Sequence, residues 1–395
     1  MQATNVQGSS ATEAHVLDAA RALGSGIRDR ALHIERHRRL PTELVHAMTE
    51  AGLFRLCVPR ALGGFEADPA TLVEVIEEIA KADGSAGWCV MIGATTGLVS
   101  AYLSDAVARE VYGSPHTITG GVFAPYGKAS GIAGGHRVTG RWPFGSGCEH
   151  CAWLMGGSIV FDDGQPRLLP NGQPDSRMMI FPRSDVEIID TWTVSGLRGT
   201  GSHDIAVSDL FVPEGRSVSL FTDQPRHNGA LYTFPVFGLL ALGIAGVALG
   251  VARSAIDELL QLATAKTPTG SRKRLADRAM IQTHVAEAEA TVRSARAFLF
   301  DAIGDAWHAA QGTGAMTIAQ RAALRLAATH ATTSSAKVVD LMYNAGGGTS
   351  VYATSPLQRF FRDIHVVTQH MMVAPATYEL TGRLFLGLDT DTSML

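Results

Sequence analysis

Cysteine is scarce in this chain: four among 395 residues, too few for a disulfide framework and consistent with a reducing compartment. Cys148-Glu149-His150-Cys151 has the spacing of a zinc knuckle. No second Cys or His pair at metal-site spacing accompanies it, so buried thiols and no metal are expected. Basic residues are not in excess either, with 33 Lys and Arg against 37 Asp and Glu and a formal net charge of -4. That balance points away from a nucleic-acid partner. The opening residues Met1 to Gln7 lack a basic start followed by an apolar run, so no secretory signal is expected and the expected location is cytoplasmic. No Gly-x-Gly-x-x-Gly follows a strand and opens a helix, which argues against a nicotinamide-binding unit. A strongly apolar run without a charge covers residues 234–251. Pro235 begins it, Gly238, Gly243, Gly246 and Gly250 dilute its hydropathy, and Arg253, Asp257 and Glu258 continue its helical pattern, so a buried helix is expected rather than a membrane span.

What is present divides into three textures. Apolar residues recur at helical spacing from Thr12 to His37, from Pro41 to about Gly52 and from Pro69 to about Ala82; residues 85–99 are apolar nearly all round. Leu53 to Pro59 reads as an extended piece between them. After Pro115 the pattern changes to short alternating runs, such as His136 to Trp142 and Ile205 to Val212, separated by Gly and Asp turns. From Phe234 onward, long Ala-rich helical stretches return and fit a four-helix bundle whose apolar stripes suggest subunit association. The expected fold is therefore mainly α with an inserted β domain: an N-terminal helical domain (1–115), a central β-sandwich or barrel (116–225) and a C-terminal bundle (226–395).

Two stretches carry candidate chemistry. Near the C-terminus, Gly346-Gly347-Gly348 precedes Ser355-Pro356-Leu357-Gln358, which has N-cap, first-turn Pro and capping-box features. At 100° per residue, Arg359, Arg362, Val366 and His370 would fall within about 80° on one helix, an anion-binding stripe. The other reading is a Gly-rich turn into an ordinary surface helix, since the three glycines fit no phosphate-loop spacing. The second stretch joins Gly140-Arg141-Trp142-Pro143-Phe144-Gly145-Ser146-Gly147 to Leu197-Arg198-Gly199-Thr200-Gly201-Ser202. Such turns offer flat faces and hydroxyls to a planar heteroaromatic ligand, and equally serve to connect strands.

Taken with Glu50-Ala51-Gly52-Leu53-Phe54-Arg55, Gly84-Ser85-Ala86-Gly87-Trp88 and Arg362-Asp363, these motifs resemble the acyl-CoA dehydrogenase superfamily from about residue 12 to about 388. Within it the chain looks most like the flavin-dependent monooxygenases, oxygenase components of two-component systems. The dehydrogenases' usual base is a Glu shortly after Arg-Asp. On an ungapped match from Arg362 that position holds Met371, which cannot take a proton, and the preceding one holds His370. The resemblance implies that reduced flavin (FMN or FAD), supplied by a separate reductase, reacts with O2 to form a C4a-hydroperoxide that hydroxylates an aromatic or polyketide-like small molecule. On that reading His370 donates a proton, Ser146 steadies the flavin edge, and Trp142, Phe144, Thr200 and Ser202 line the ring and ribityl chain. Arg272 (nearest the matching spacing, with Arg274 and Arg278 as alternatives), Gly346, Gly347 and Arg359 are candidates for the rest of the cofactor, and a homotetramer is implied. Phenol hydroxylases of this group carry a His eight residues after the Trp that matches Trp88. Here the position is Thr96, which makes a simple phenol less secure and leaves His150, His203 or His365 as candidates to substitute. Acyl-CoA-type oxidation of a thioester and a catalytically silent family member are the alternative readings.

Overall fold

A computed structural model describes residues 11–312 and 316–395. Six helices open the chain: α1 (Ala11–Asp29), α2 (Ala31–His37), α3 (Thr42–Glu50), α4 (Pro69–Ala82), α5 (Gly84–Thr96) and α6 (Asp105–Tyr112). The single helix expected from Thr12 to His37 is broken at Arg30, and the piece expected to be extended after Gly52 instead coils into a 3-10 turn at Leu53–Arg55. The buried guanidinium of Arg55 is the cause of that compaction: it donates to the carbonyls of Gly63, Leu62, Ser114 and Tyr112, folding the segment back on itself.

The starts of α4 and α5 follow directly from sequence. Asp68 accepts from the amides of Ala70 and Thr71 with Pro69 in the first turn, and Asp83 accepts from the amide of Ala86. α5 is buried along nearly its whole length, as its all-round apolar character requires.

Eight strands follow: β1 (Thr119–Ile132), β2 (Gly135–Gly145), β3 (Trp153–Asp162), β4 (Gln165–Pro166), β5 (Ser176–Pro182), β6 (Glu187–Ile189), β7 (His203–Pro213) and β8 (Ser217–Val218). They form one mixed sheet in the order β6-β7-β2-β1-β3-β5-β8, with β4 on β3. Only β1 and β3 run parallel. Trp142 fills the sheet's interior: a Cβ on Gly127, Gly140 or Gly156 would stand 2.4–2.6 Å from its indole, so three glycines make the slot it occupies.

The C-terminal part contains α7 (Ala230–Thr233), α8 (Val236–Ala265), α9 (Ala279–Gly312), α10 (Ile318–Gly346), α11 (Pro356–Val367) and α12 (Ala376–Phe385). Helix α8 is the axis, packed against α4, α5, α9, α10 and α11. It is long and apolar enough to cross a bilayer by composition, but 83% of its most apolar window is buried inside the protein. Gly246 and Gly250 let it approach α4 to backbone contact distance, where a Cβ would meet the carbonyls of Val73 and Glu77.

Candidate functional site

The site grows from the start of α5, the loop after β2 and the turn before β7. Phe144 and Leu197 adopt left-handed backbone conformations (φ 66° and 48°), as do Gly147 and Gly201 (φ 68° and 51°). These turns bring Ser146, Thr200 and Ser202 together, each at most 5% exposed. Trp88 Nε1 lies 3.1 Å from Ser146 Oγ, which lies 2.7 Å from Ser202 Oγ; Ser202 is 2.6 Å from Thr200 Oγ1, and Thr200 donates to the Leu197 carbonyl at 2.9 Å.

Proton counting gives this chain a direction. Thr200 spends its hydroxyl hydrogen on Leu197, so Ser202 donates to Thr200, Ser146 donates to Ser202, and the indole N–H of Trp88 donates to Ser146. Every hydroxyl hydrogen is used. What remains on each oxygen is a free lone pair, so the array is prepared to accept hydrogen bonds from a ligand that carries N–H groups at its edge. Reduced flavin, with N–H groups along the edge of its ring, fits that requirement.

His370 completes the cluster. Its ring centre lies 5.8 Å from that of Trp88 at an interplanar angle of 58°. It does not share a helix with Arg359: α11 ends at Val367, and His370 sits on the turn beyond it. The expected helical stripe therefore dissolves. Nor does a capping box form, because Gln358 is engaged by the Ala353 carbonyl and by Arg362. The amide of Met372 donates to His370 Nδ1 at 3.3 Å, which places the ring proton on Nε2. Burial, and then the charge of Arg325, push His370 down to about 4. An ordinary imidazole titrates near working pH; this ring is neutral at pH 7, so its N–H acts as a hydrogen-bond donor rather than as an imidazolium.

The other expected residues separate into groups. His150 and Ser146 line a cavity of about 10 Å3, with room for one water molecule at most, together with Thr119, whose hydroxyl meets that of Thr96 at 2.8 Å. Of the two candidate substrate residues, His150 thus lines this cavity and Thr96 reaches it only through Thr119. Phe144 is 65% exposed, edge-on to Trp192. Trp142 is a correction: it is fully buried, donates to the Gly157 carbonyl and packs against Phe181, so it has no face to offer a cofactor.

Arg359 is also placed otherwise than expected. It is 6% exposed, so it is not a surface guanidinium; its charge is felt by Asp83, Asp363 and Glu258, but none of them pairs with it within 4.0 Å and its Nε has no hydrogen-bond partner among the described residues. Gly346 ends α10, its carbonyl held by Lys266 at 2.9 Å; Gly347 and Arg272 are exposed, away from the hydroxyl chain. Cys148 and Cys151 are buried free thiols, and no metal-competent cluster exists among the described residues.

Three contributors were not singled out from sequence. Trp88 was noticed only as part of a motif. Asp363 accepts the Leu197 amide at 2.6 Å and so supports the turn that carries Thr200. Burial, with Asp83 as a neighbouring carboxylate, pushes Asp363 up to about 7. Arg325, a buried arginine in an Ala-rich helix, holds the turn of His370. Its signal in sequence is a charge one turn after Arg321 in a long Ala-rich helix.

Comparison with known proteins agrees with this architecture. Residues 10–111 match the family described as acyl-CoA dehydrogenase, N-terminal domain, and residues 242–375 match acyl-CoA dehydrogenase, C-terminal domain. The indole-3-acetate monooxygenase of Pseudomonas putida is 36% identical over 373 residues, 93% of each chain. The flavin-dependent monooxygenase oxygenase subunit HsaA of Mycobacterium tuberculosis is 31% identical over 96% of this chain and 97% of its own. Among solved structures, the 3-HSA hydroxylase from Rhodococcus sp. RHA1 superposes with a TM-score of 0.89 at 28% identity, covering 96% of this chain and 99% of that one. The chain belongs to the acyl-CoA dehydrogenase family. Within that family it is an oxygenase component of the flavin-dependent monooxygenase group.

Proposed function

We propose that the protein oxygenates a nitrogen-containing or polycyclic aromatic small molecule, using reduced flavin delivered by a separate reductase. The observation that carries this reading is the array of Trp88, Ser146, Ser202 and Thr200 beside a neutral His370. Reduced flavin, when bound, supplies the activation of O2. Ser146 and Ser202 would accept from its N–H edge, and the exposed Phe144 is the aromatic side chain that would lie against it. His370 keeps its Nε2 proton at neutral pH and would donate a hydrogen bond to negative charge developing on oxygen; such a donor in a water-poor site is worth about 3–4 kcal/mol. Trp88, packed between His370 and Ser146, holds both and excludes water.

Thr96 supports the substrate class. Its hydroxyl is already shared among Ile92, Gly93 and Thr119, so it does not serve as a base for a phenol. A substrate activated by its own ring nitrogen dispenses with that base, and two relatives carry the name indole-3-acetate monooxygenase. Assignment to a helical domain (1–115), a β domain (116–225) and a bundle (226–395), assembly as a homotetramer and location in the cytoplasm belong to the same reading. The free thiols of Cys57, Cys89, Cys148 and Cys151 suit a reducing compartment, and the exposed Phe385 and Leu386 suit a subunit contact.

The test is oxygen uptake with chemically reduced FMN or FAD across indoles, phenols, quinols and acyl-CoA thioesters, with product and peroxide both measured. Oxygen-dependent hydroxylation of an indole supports the reading. Reduction of bound oxidised flavin by a thioester, without oxygen, would replace it with a dehydrogenase.

A further inference from the structure

Helix α10 carries an arginine whose placement its helix does not explain. Arg325 is 4% exposed, no carboxylate lies within 4.0 Å of it among the described residues, and its Nε has no hydrogen-bond partner. Burying an uncompensated guanidinium is costly, so its two remaining contacts identify its task. One Nη donates to the Met372 carbonyl at 3.0 Å and the other to the carbonyl of Met394. Met372 is the residue whose amide donates to His370 Nδ1. A single residue thus has its carbonyl fixed by Arg325 and its amide fixed on the imidazole. Val373 closes the same turn with a hydrogen bond from its amide to the His370 carbonyl.

We propose that Arg325 is the positioning residue of His370: by holding the Met372 carbonyl it fixes the residue whose amide, on the other side of the same Cα, sets which imidazole nitrogen carries the proton. The contact with Met394 ties that turn to the segment at 392–395. Arg321, one helical turn earlier, grips this segment separately through the carbonyls of Thr392 and Leu395. Arg321 makes no hydrogen bond to the His370 turn, so it offers a control for segment docking alone. This inference rests on the function proposed above for His370, but its primary readout is independent of turnover.

The first experiment uses the unaltered protein. In histidine labelled with nitrogen-15, and with His370→Asn to identify the resonance, the His370 ring at pH 7 should show the neutral form protonated at Nε2. A ring protonated at Nδ1, or doubly protonated, would overturn the proposal. Arg325→Met should then shift the ring toward mixed tautomers and raise peroxide released per flavin oxidised about tenfold, with Arg325→Lys recovering most of the coupling. Arg321→Gln should leave both readouts within twofold of the parent protein. Equal peroxide leakage from Arg321→Gln and Arg325→Met would overturn the proposal in favour of segment docking. If Arg325→Met does not fold, the same readouts on Arg325→Lys decide: a tautomer unchanged from the parent alongside full leakage overturns the proposal. Absence of any oxygen-dependent product from the unaltered protein, with the expected tautomer in place, would sink the function and leave the positioning intact.

Discussion

The indole of Trp88 donates to Ser146 Oγ at 3.1 Å, a hydrogen bond that crosses from helix α5 to the loop after β2 and joins the helical and sheet portions of the molecule at one point. Its other neighbour is the His370 ring, 5.8 Å away. One aromatic residue therefore sets the spacing between a hydroxyl array and an imidazole that are 224 positions apart in the chain.

Removing Ser146 tests that joint. Ser146→Ala leaves the buried Trp88 N–H without an acceptor, at a cost of about 1–3 kcal/mol in stability. Reduced-flavin affinity should fall several-fold, measured by anaerobic titration. Ser202→Ala, which breaks the chain farther from Trp88, should weaken flavin binding while leaving the indole fluorescence of Trp88 closer to that of the parent protein.

His370 carries two separable predictions. His370→Ala should lower product formation about 10²–10³-fold while flavin oxidation continues and yields peroxide. Because burial holds the folded ring at about 4, well below the usual histidine value, the unfolded chain takes up a proton first as pH falls. Native stability from this residue is complete above about pH 6.5 and is lost on going down toward pH 4. Urea unfolding should show the parent losing up to about 2 kcal/mol relative to His370→Gln between pH 7 and pH 5.

Asp363 has the opposite sign. Burial raises it to about 7, so the folded protein keeps a proton that the unfolded chain releases near the ordinary carboxyl value. Stability from this group is present in acid and is lost as pH rises toward 7. Asp363→Asn retains an acceptor for the Leu197 amide and removes the ionisation. Relative to the parent, the variant should gain stability as pH rises from 4 to 8, read from the urea midpoint at each pH.

Gly87 lies one residue before Trp88 where α5 crosses α4. A Cβ there would stand 2.6 Å from the Ala80 Cβ and 2.8 Å from its Cα, neither of which can swing aside. Gly87→Ala should cost about 1–3 kcal/mol by forcing the helices apart. It should also displace Trp88, seen as weakened flavin binding in excess of what the thermal destabilisation explains.

The order of parts was legible in sequence because each part has its own period. The α4 boundaries follow from Asp68, Pro69 and the end of the apolar repeat, and β2 and β7 follow from alternation between turns. Ser146, Thr200, Ser202 and His370 were marked as candidates by resemblance, and the structure brings the three hydroxyls together. What could not be read was direction. Trp142 and Phe144 stand two residues apart on one motif, yet one is sealed in a glycine slot and the other is exposed at a left-handed turn. Arg359 looked open to an anion because sequence shows its spacing but not its burial. Arg325 passed unnoticed because its partners are backbone carbonyls, which carry no residue signature.

Helix α8 sets a demand on how the molecule is made. It emerges from the ribosome as a segment a translocon could mistake for an anchor, and α10, one of the helices that covers it, ends roughly 80 residues later. At ordinary elongation rates of ~5–20 residues per second, that interval lasts ~4–16 s. Helix α4, made earlier and fitted to Gly246 and Gly250, is the shelter already at hand, so substitutions that spoil the α4 groove should show first as misrouted or aggregated nascent chain and only second as lost turnover.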